Sequence, residues 1–118
     1  MSLRVTSALW VSAYVRRVFV QGGFAATMRR GAEEAGAIFV IVDRLNGTVD
    51  LYGPAPQTAF DDERPRDRLF IRMEHAAERP VALARLDKEM RFDPDLWLVE
   101  VEDREGRAFL ETIDPDKL

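Results

Sequence analysis

A chain of 118 residues, 47% hydrophobic and 32% charged, is sized for one globular domain with its own core, and nothing marks a second. The net charge of -4 argues against general affinity for nucleic acid. With no cysteine, disulfides, thiol nucleophiles, thiolate zinc sites and iron–sulfur clusters are excluded. The charge is unevenly spread: residues 1–50 carry six arginines against four acidic residues, and residues 51–118 carry eleven basic against seventeen acidic. Fifteen of the 17 basic residues are arginine, which suits bidentate carboxylate and phosphate contacts but is read first as codon bias in a GC-rich genome.

The opening stretch MSLRVTSALWVSAYVRRVFVQGG is apolar, but Arg16 and Arg17 interrupt it and no small-residue cleavage site follows. Its longest uncharged run, Val5 to Val15, is too short to span a bilayer, so a cytoplasmic protein without membrane contact is expected. Residues 7–21 read as a helix, capped by Thr6 or Ser7 and stopped by Gly22-Gly23. Apolar residues occupy most of its circumference, so it needs cover on more than one side: a sheet on one, and on another either a second subunit or, in a monomer, the 53–68 loop or the C-terminal tail.

Residues 24–30 read as a short strand and 31–36 as a turn. In AIFVIVDRLNGTVDLYGP, two β-rich runs flank Asn46-Gly47, a strong hairpin signal. A two-residue loop would put Val40, Val42, Val49 and Leu51 on one face as core, and would set Asp43 opposite Asp50, an unfavourable pairing of like charges. A three-residue loop with Gly47 as a bulge, or a neighbouring arginine, is the expected relief; a bound cation is the remaining alternative.

Residues 53–68, with three prolines and alternating charge, form a loop longer than usual connections. Residues 69–75 resemble a strand, and 79–92 a helix with Pro80 in its first turn and a Leu83, Leu86, Met90 stripe. Asp93-Pro94 ends it. From Leu96 to Glu102 a strand places Trp97, Val99 and Val101 on one face and Leu98, Glu100 and Glu102 on the other. EDREGR is then a turn, RAFLE (107–111) a returning strand, and DPDKL a loose tail. The expected fold is α+β: a mostly antiparallel sheet of about five or six strands with two helices.

Taken together, LWVSAYVRR, EEAGAIFVIVDRLNGTVDLYGPAPQ and RFDPDLWLVEVEDREGR resemble a family of small alphaproteobacterial proteins, the domain of unknown function 1491. The resemblance covers nearly the whole chain. It implies a single small α+β domain in a bacterial cytoplasm and carries over no catalytic, cofactor or metal residue.

The chemistry-bearing residues give no enzyme motif. Glu100 and Glu102 stand about 7 Å apart along a strand, a separation usable for acid–base work. Arg104 and Arg107 nearby fit a solvated strand face instead. His75 is the sole histidine and lacks partners for a zinc site. No serine lies in a nucleophile-elbow context, and each glycine fits a turn. Arg16-Arg17 and Arg29-Arg30 are candidate anion contacts, of which only one member per pair can reach a common site. Trp10 and Tyr14, adjacent on a helix, and Tyr52 on a strand are core residues or, if exposed, a contact surface.

Three functions follow as expectations. The leading one is a non-catalytic interaction module, a homodimer or bound to a protein partner through the N-terminal helix or the 53–68 loop. The second is a small anion- or nucleotide-binding protein using Arg16 or Arg17 with Arg29 or Arg30. The last is a carboxylate-dependent hydrolase centred on Glu100 and Glu102. No catalytic residue, cofactor or metal is assigned.

Overall fold

The run Ile38 to Val42 has no polar alternation, and a strand of that kind needs apolar cover on both faces. The computed structural model describes residues 5–56 and 68–117 and supplies both covers. In chain order the elements are α1 (Ser7–Val20), β1 (Phe24–Arg29), β2 (Ile38–Asp43), β3 (Val49–Pro54), β4 (Phe70–Ala77), α2 (Arg79–Phe92) and β5 (Trp97–Glu102). They form one sheet in the order β1-β5-β2-β3-β4. All neighbours are antiparallel except β2 and β5. The fold is α+β, as the sequence indicates.

β2 is the central strand, and it faces two separate cores. Ile38, Val40 and Val42 join Val11, Tyr14 and Val18 of α1 on one side, with Trp97, Val99 and Val101 of β5. Phe39 and Ile41 join Ala82 and Leu86 of α2 on the other, with Val49 and Leu51. Among the described residues no helix is long and apolar enough to cross a membrane.

Each helix is bounded as its sequence dictates. Leu9 donates its amide to Thr6 Oγ1 at 3.2 Å, which caps α1. The amides of Ser7 and Ala8, left over at a helix start, bond the carbonyls of Glu34 and Glu33 in the preceding-strand turn. Past the last turn, Gly22 takes φ +90° and Gly23 donates to the Val18 carbonyl. Pro80 sits in the first turn of α2. The stripe on α2 differs from expectation: Ala82 and Leu86 are its buried residues, while Leu83 is 40% exposed.

The hairpin also needs correction. Val40, Val42, Val49 and Leu51 are all buried, but they do not share a face. The loop has three residues, Leu45 to Gly47, closed by Arg44 N–H on the Thr48 carbonyl at 3.1 Å. Leu45 and Gly47 both adopt positive φ. The register therefore pairs Asp43 with Val49 and Val42 with Asp50. Val40 and Val42 belong to the α1 core, Val49 and Leu51 to the α2 core. The expected clash between Asp43 and Asp50 is relieved by the shifted register and by Arg44, which binds Asp50 at 2.9 Å.

RAFLE is not a strand. Its backbone runs under α1, where Tyr14 Oη donates to the Ala108 carbonyl at 2.6 Å and Arg17 to the Phe109 carbonyl at 2.8 Å. Ala108, Phe109 and Leu110 pack on the α1 core instead of extending the sheet. The chain then meets β4 through a single parallel bridge, Phe70 to Thr112, and ends in a 3-10 turn at Pro115–Lys117. Most of the expected 53–68 loop (57–67) lies outside the described residues, and its first two residues belong to β3.

Val42 is fully buried on the α1 side of the central strand. Val42→Ala should lower unfolding free energy by about 1–3 kcal/mol through lost burial and a residual cavity. A urea midpoint equal to that of the parent protein would contradict this placement.

Candidate functional site

Three groups of side chains stand out from the fold. The first is the outer surface of α1 and β1. Trp10 and Tyr14 stack with ring centroids 4.9 Å apart, yet both face inward. Tyr14 is fully buried, and burial pushes its hydroxyl pKa well above the usual phenol value, with Arg17 pulling the other way. Trp10 packs on the core and lies 5.4 Å from the Phe70 ring. Tyr52 is buried as well. Tyr14 and Tyr52 are thus core residues, and Trp10 is half-buried against that core. What α1 and β1 leave in solvent is Leu9, Phe19, Val20, Phe24 and Met28.

The four candidate anion arginines do not share a partner. Arg17 binds the Phe109 carbonyl and lies over the Tyr14 ring. Arg29 binds the Pro94 carbonyl, and Arg30 lies over the Trp97 ring at 4.9 Å. Arg16 is exposed beside Leu9, Ala13 and Val20 on the outer face of α1.

The second group was not legible in the sequence. The parallel pairing of β2 and β5 aligns Asp43 with Glu102 and Ile41 with Glu100. It brings oxygens of Asp43, Glu100 and Glu102 within 4.8 Å of one another on the α2 side. Arg79, the first residue of α2, closes this cluster: its guanidinium meets Glu100 at 2.5 Å and Asp43 at 4.0 Å. The hydrogen bond to Glu100 raises the Arg79 pKa, against a smaller effect of burial. Sequence alternation places each carboxylate on its strand, but no local pattern says which strands are parallel neighbours.

The third group centres on Asp50, which is 1% exposed and accepts hydrogen bonds from Arg44, His75 and the Ala76 amide. A buried carboxylate needs such donors, because an uncompensated charge there is strongly destabilising. Burial raises the pKa of neighbouring Tyr52, and the charge of Asp50 adds to the rise. Asp50 and His75 are 25 residues apart, and irregular pairing of β3 with β4 hides their proximity from any strand pattern.

Asp103, in the opening of the carboxylate-rich turn, has a structural role. It is 6% exposed and binds the Arg107 amide at 2.8 Å and guanidinium at 2.8 Å. The side-chain hydrogen bonds from Arg107 hold its pKa below the ordinary 3.8. A folded pKa below the unfolded one means stability that is present above about pH 4 and lost as pH falls through the folded value. Asp103→Asn should therefore flatten the acid-side loss of stability below about pH 4. Urea midpoints across that range should separate the two proteins in slope; identical slopes would remove Asp103 from the acid transition.

The chain is similar to one protein family and to several solved structures. Residues 5–111 match DUF1491, described as a protein of unknown function. The solution structure of protein Atu0922 from A. tumefaciens is 46% identical, with 95% of this chain and 97% of that chain covered and a TM-score of 0.82. The crystal structure of a DUF1491 family protein from Caulobacter crescentus is 33% identical, with 94% and 99% covered and a TM-score of 0.75. An NMR structure from the same organism gives 33% identity, 95% and 99% coverage and a TM-score of 0.75. No curated protein matches the chain.

Proposed function

The chain belongs to the DUF1491 family, and we propose that this member is a non-catalytic interaction module of the bacterial cytoplasm that pairs with a second copy of itself through α1 and β1. One observation carries the reading: α1 and β1 leave several large apolar side chains in solvent, although α2 also exposes Phe92 and Val81. Val20 is 80% exposed, Leu9 61% and Met28 58%. Leu9, Ala13, Arg16 and Val20 line one shallow groove on the outer face of α1. The Phe19 ring meets the Phe24 ring edge-on at 5.3 Å, which carries the apolar surface from the helix onto β1. Among the described residues β1 is an edge strand, paired with β5 alone.

An apolar patch of this kind on a soluble domain marks a contact surface. Self-association fits it because one surface then covers its own copy, and closed twofold pairing is the commonest solution. Tyr14 lies on the inner side of α1, beneath this surface. Neither an arginine-based anion site nor a hydrolase centre gains comparable support. The arginines have separate partners, and Glu100 is paired with Arg79.

Sedimentation equilibrium at micromolar concentration is the test. The parent protein should give twice the 13.5 kDa chain mass. The double variant Leu9→Glu with Val20→Glu should give the single-chain mass while retaining its circular dichroism, because both side chains are exposed and contribute little to the core. A parent mass of 13.5 kDa that does not rise with concentration would end the proposal.

A further inference from the structure

The β4 edge of the sheet is irregular in a specific way. Val49 pairs with Ala77, Leu51 with Glu74 and Tyr52 with Arg72. Asp50 therefore faces two residues, His75 and Ala76, and Met73 is a second extra residue. Bulges of this kind re-aim side chains, and they recur beside functional sites. Ala76 has φ +48°, a conformation that costs a residue with a Cβ and that persists only where surrounding structure enforces it. Here it turns the Ala76 amide onto Asp50 Oδ1 at 2.7 Å.

The same oxygen lies 3.1 Å from His75 Nδ1, while Arg44 holds the other oxygen at 2.9 Å. An ionised carboxylate only accepts, so His75 Nδ1 carries a proton, and in the neutral form of the ring Nε2 is the acceptor. The His75 side chain is 53% exposed. It borders a cavity of about 640 Å³ between β4 and the C-terminal segment, which Tyr52, Arg72, Thr112, Asp114 and Asp116 also line. The cavity has walls of opposite charge. Arg72, hydrogen-bonded to Tyr52, stands with His75 on the β4 side. Asp114 and Asp116 stand on the C-terminal side. Among the described residues no salt bridge joins the two walls.

We propose that this cavity binds a small zwitterion, its oxyanion on Arg72 and its ammonium on Asp114 and Asp116, with His75 Nε2 accepting a hydrogen bond from it. A simple anion would satisfy Arg72 but face two carboxylates, and a simple cation would face the guanidinium. A molecule bearing both charges satisfies both walls, and the cavity is large enough for an amino acid. Asp50 is a positioning residue: it fixes which ring nitrogen of His75 faces the cavity.

His75 is the only histidine, so its ring signals in a long-range nitrogen–proton NMR spectrum are unambiguous. At about pH 8, where a free imidazole is neutral, the ring should be in the Nδ1–H form. Glycine, β-alanine and γ-aminobutyrate would then be titrated, with inorganic phosphate and methylammonium as single-charge probes. At least one zwitterion should shift the His75 ring and Thr112 amide signals saturably. Its affinity should fall by about tenfold or more in Arg72→Gln and in the double variant Asp114→Asn with Asp116→Asn. These positions are exposed, and the amide spectrum of each variant verifies its fold. Three results would overturn the proposal: an Nε2–H ring, no saturable response to any zwitterion up to about 10 mM, or phosphate or methylammonium binding as well as the zwitterions.

Discussion

The parallel pairing of β2 with β5 is the constraint on which the rest of the structure depends. β2 buries every side chain from Ile38 to Val42, so it can only be a central strand with a layer on each face. A hairpin supplies β3 on one flank. The other flank needs a strand that runs the same way, and a parallel neighbour cannot be reached by a tight turn. The chain meets this by placing β4 and α2 between β3 and β5. α2 then lies on one face because it is part of that connection, and α1 is left to cover the other. The same pairing fixes the carboxylate cluster, since Asp43 ends β2 alongside Glu102 of β5.

The elements were legible where local chemistry specifies them. Thr6 and the paired glycines bound α1, Pro80 starts α2, Asn46-Gly47 announces the hairpin, and alternation from Trp97 to Glu102 assigns both faces of β5. The faces of β2 and β3 were not legible, because an apolar run buried on both sides contains no alternation to read. Their register depended on one loop residue, with Leu45 at φ +61° where glycine would have been the visible signal. RAFLE has strand-like composition, but its carbonyls are taken by Tyr14 and Arg17 of α1. No pattern within the segment records a partner more than ninety residues away.

The sites were less legible than the fold for the same reason. Exposure of an aromatic residue on a helix depends on which side the sheet lies. Trp10 and Tyr14 turn inward, and the smaller Leu9 and Val20 turn outward. His75 looked isolated because its partner belongs to another strand and its own strand is bulged. Asp50 is also more than a hairpin residue. Burying a carboxylate costs several kcal/mol unless its lone pairs are satisfied, and holding Ala76 at positive φ costs roughly 1–3 kcal/mol more. Arg44 and the shifted register already relieve the hairpin, and the Ala76 amide, at positive φ, adds a further donor to the same buried carboxylate.

The two proposed surfaces occupy opposite edges of the sheet, β1 at one end and β4 at the other. Pairing through α1 and β1 therefore leaves the cavity beside β4 open to solvent in each copy. One segment connects the two regions. Residues 108–110 are held against α1 by Tyr14 and Arg17, and directly afterwards the Glu111 carbonyl and Ile113 amide bond the backbone of Phe70 in β4. The wall that carries Asp114 and Asp116 is thus tied at its start to both the inner face of α1 and the cavity edge. Phe70, buried and 5.4 Å from the Trp10 ring, is the residue of β4 at which this segment, the sheet edge and α1 come together.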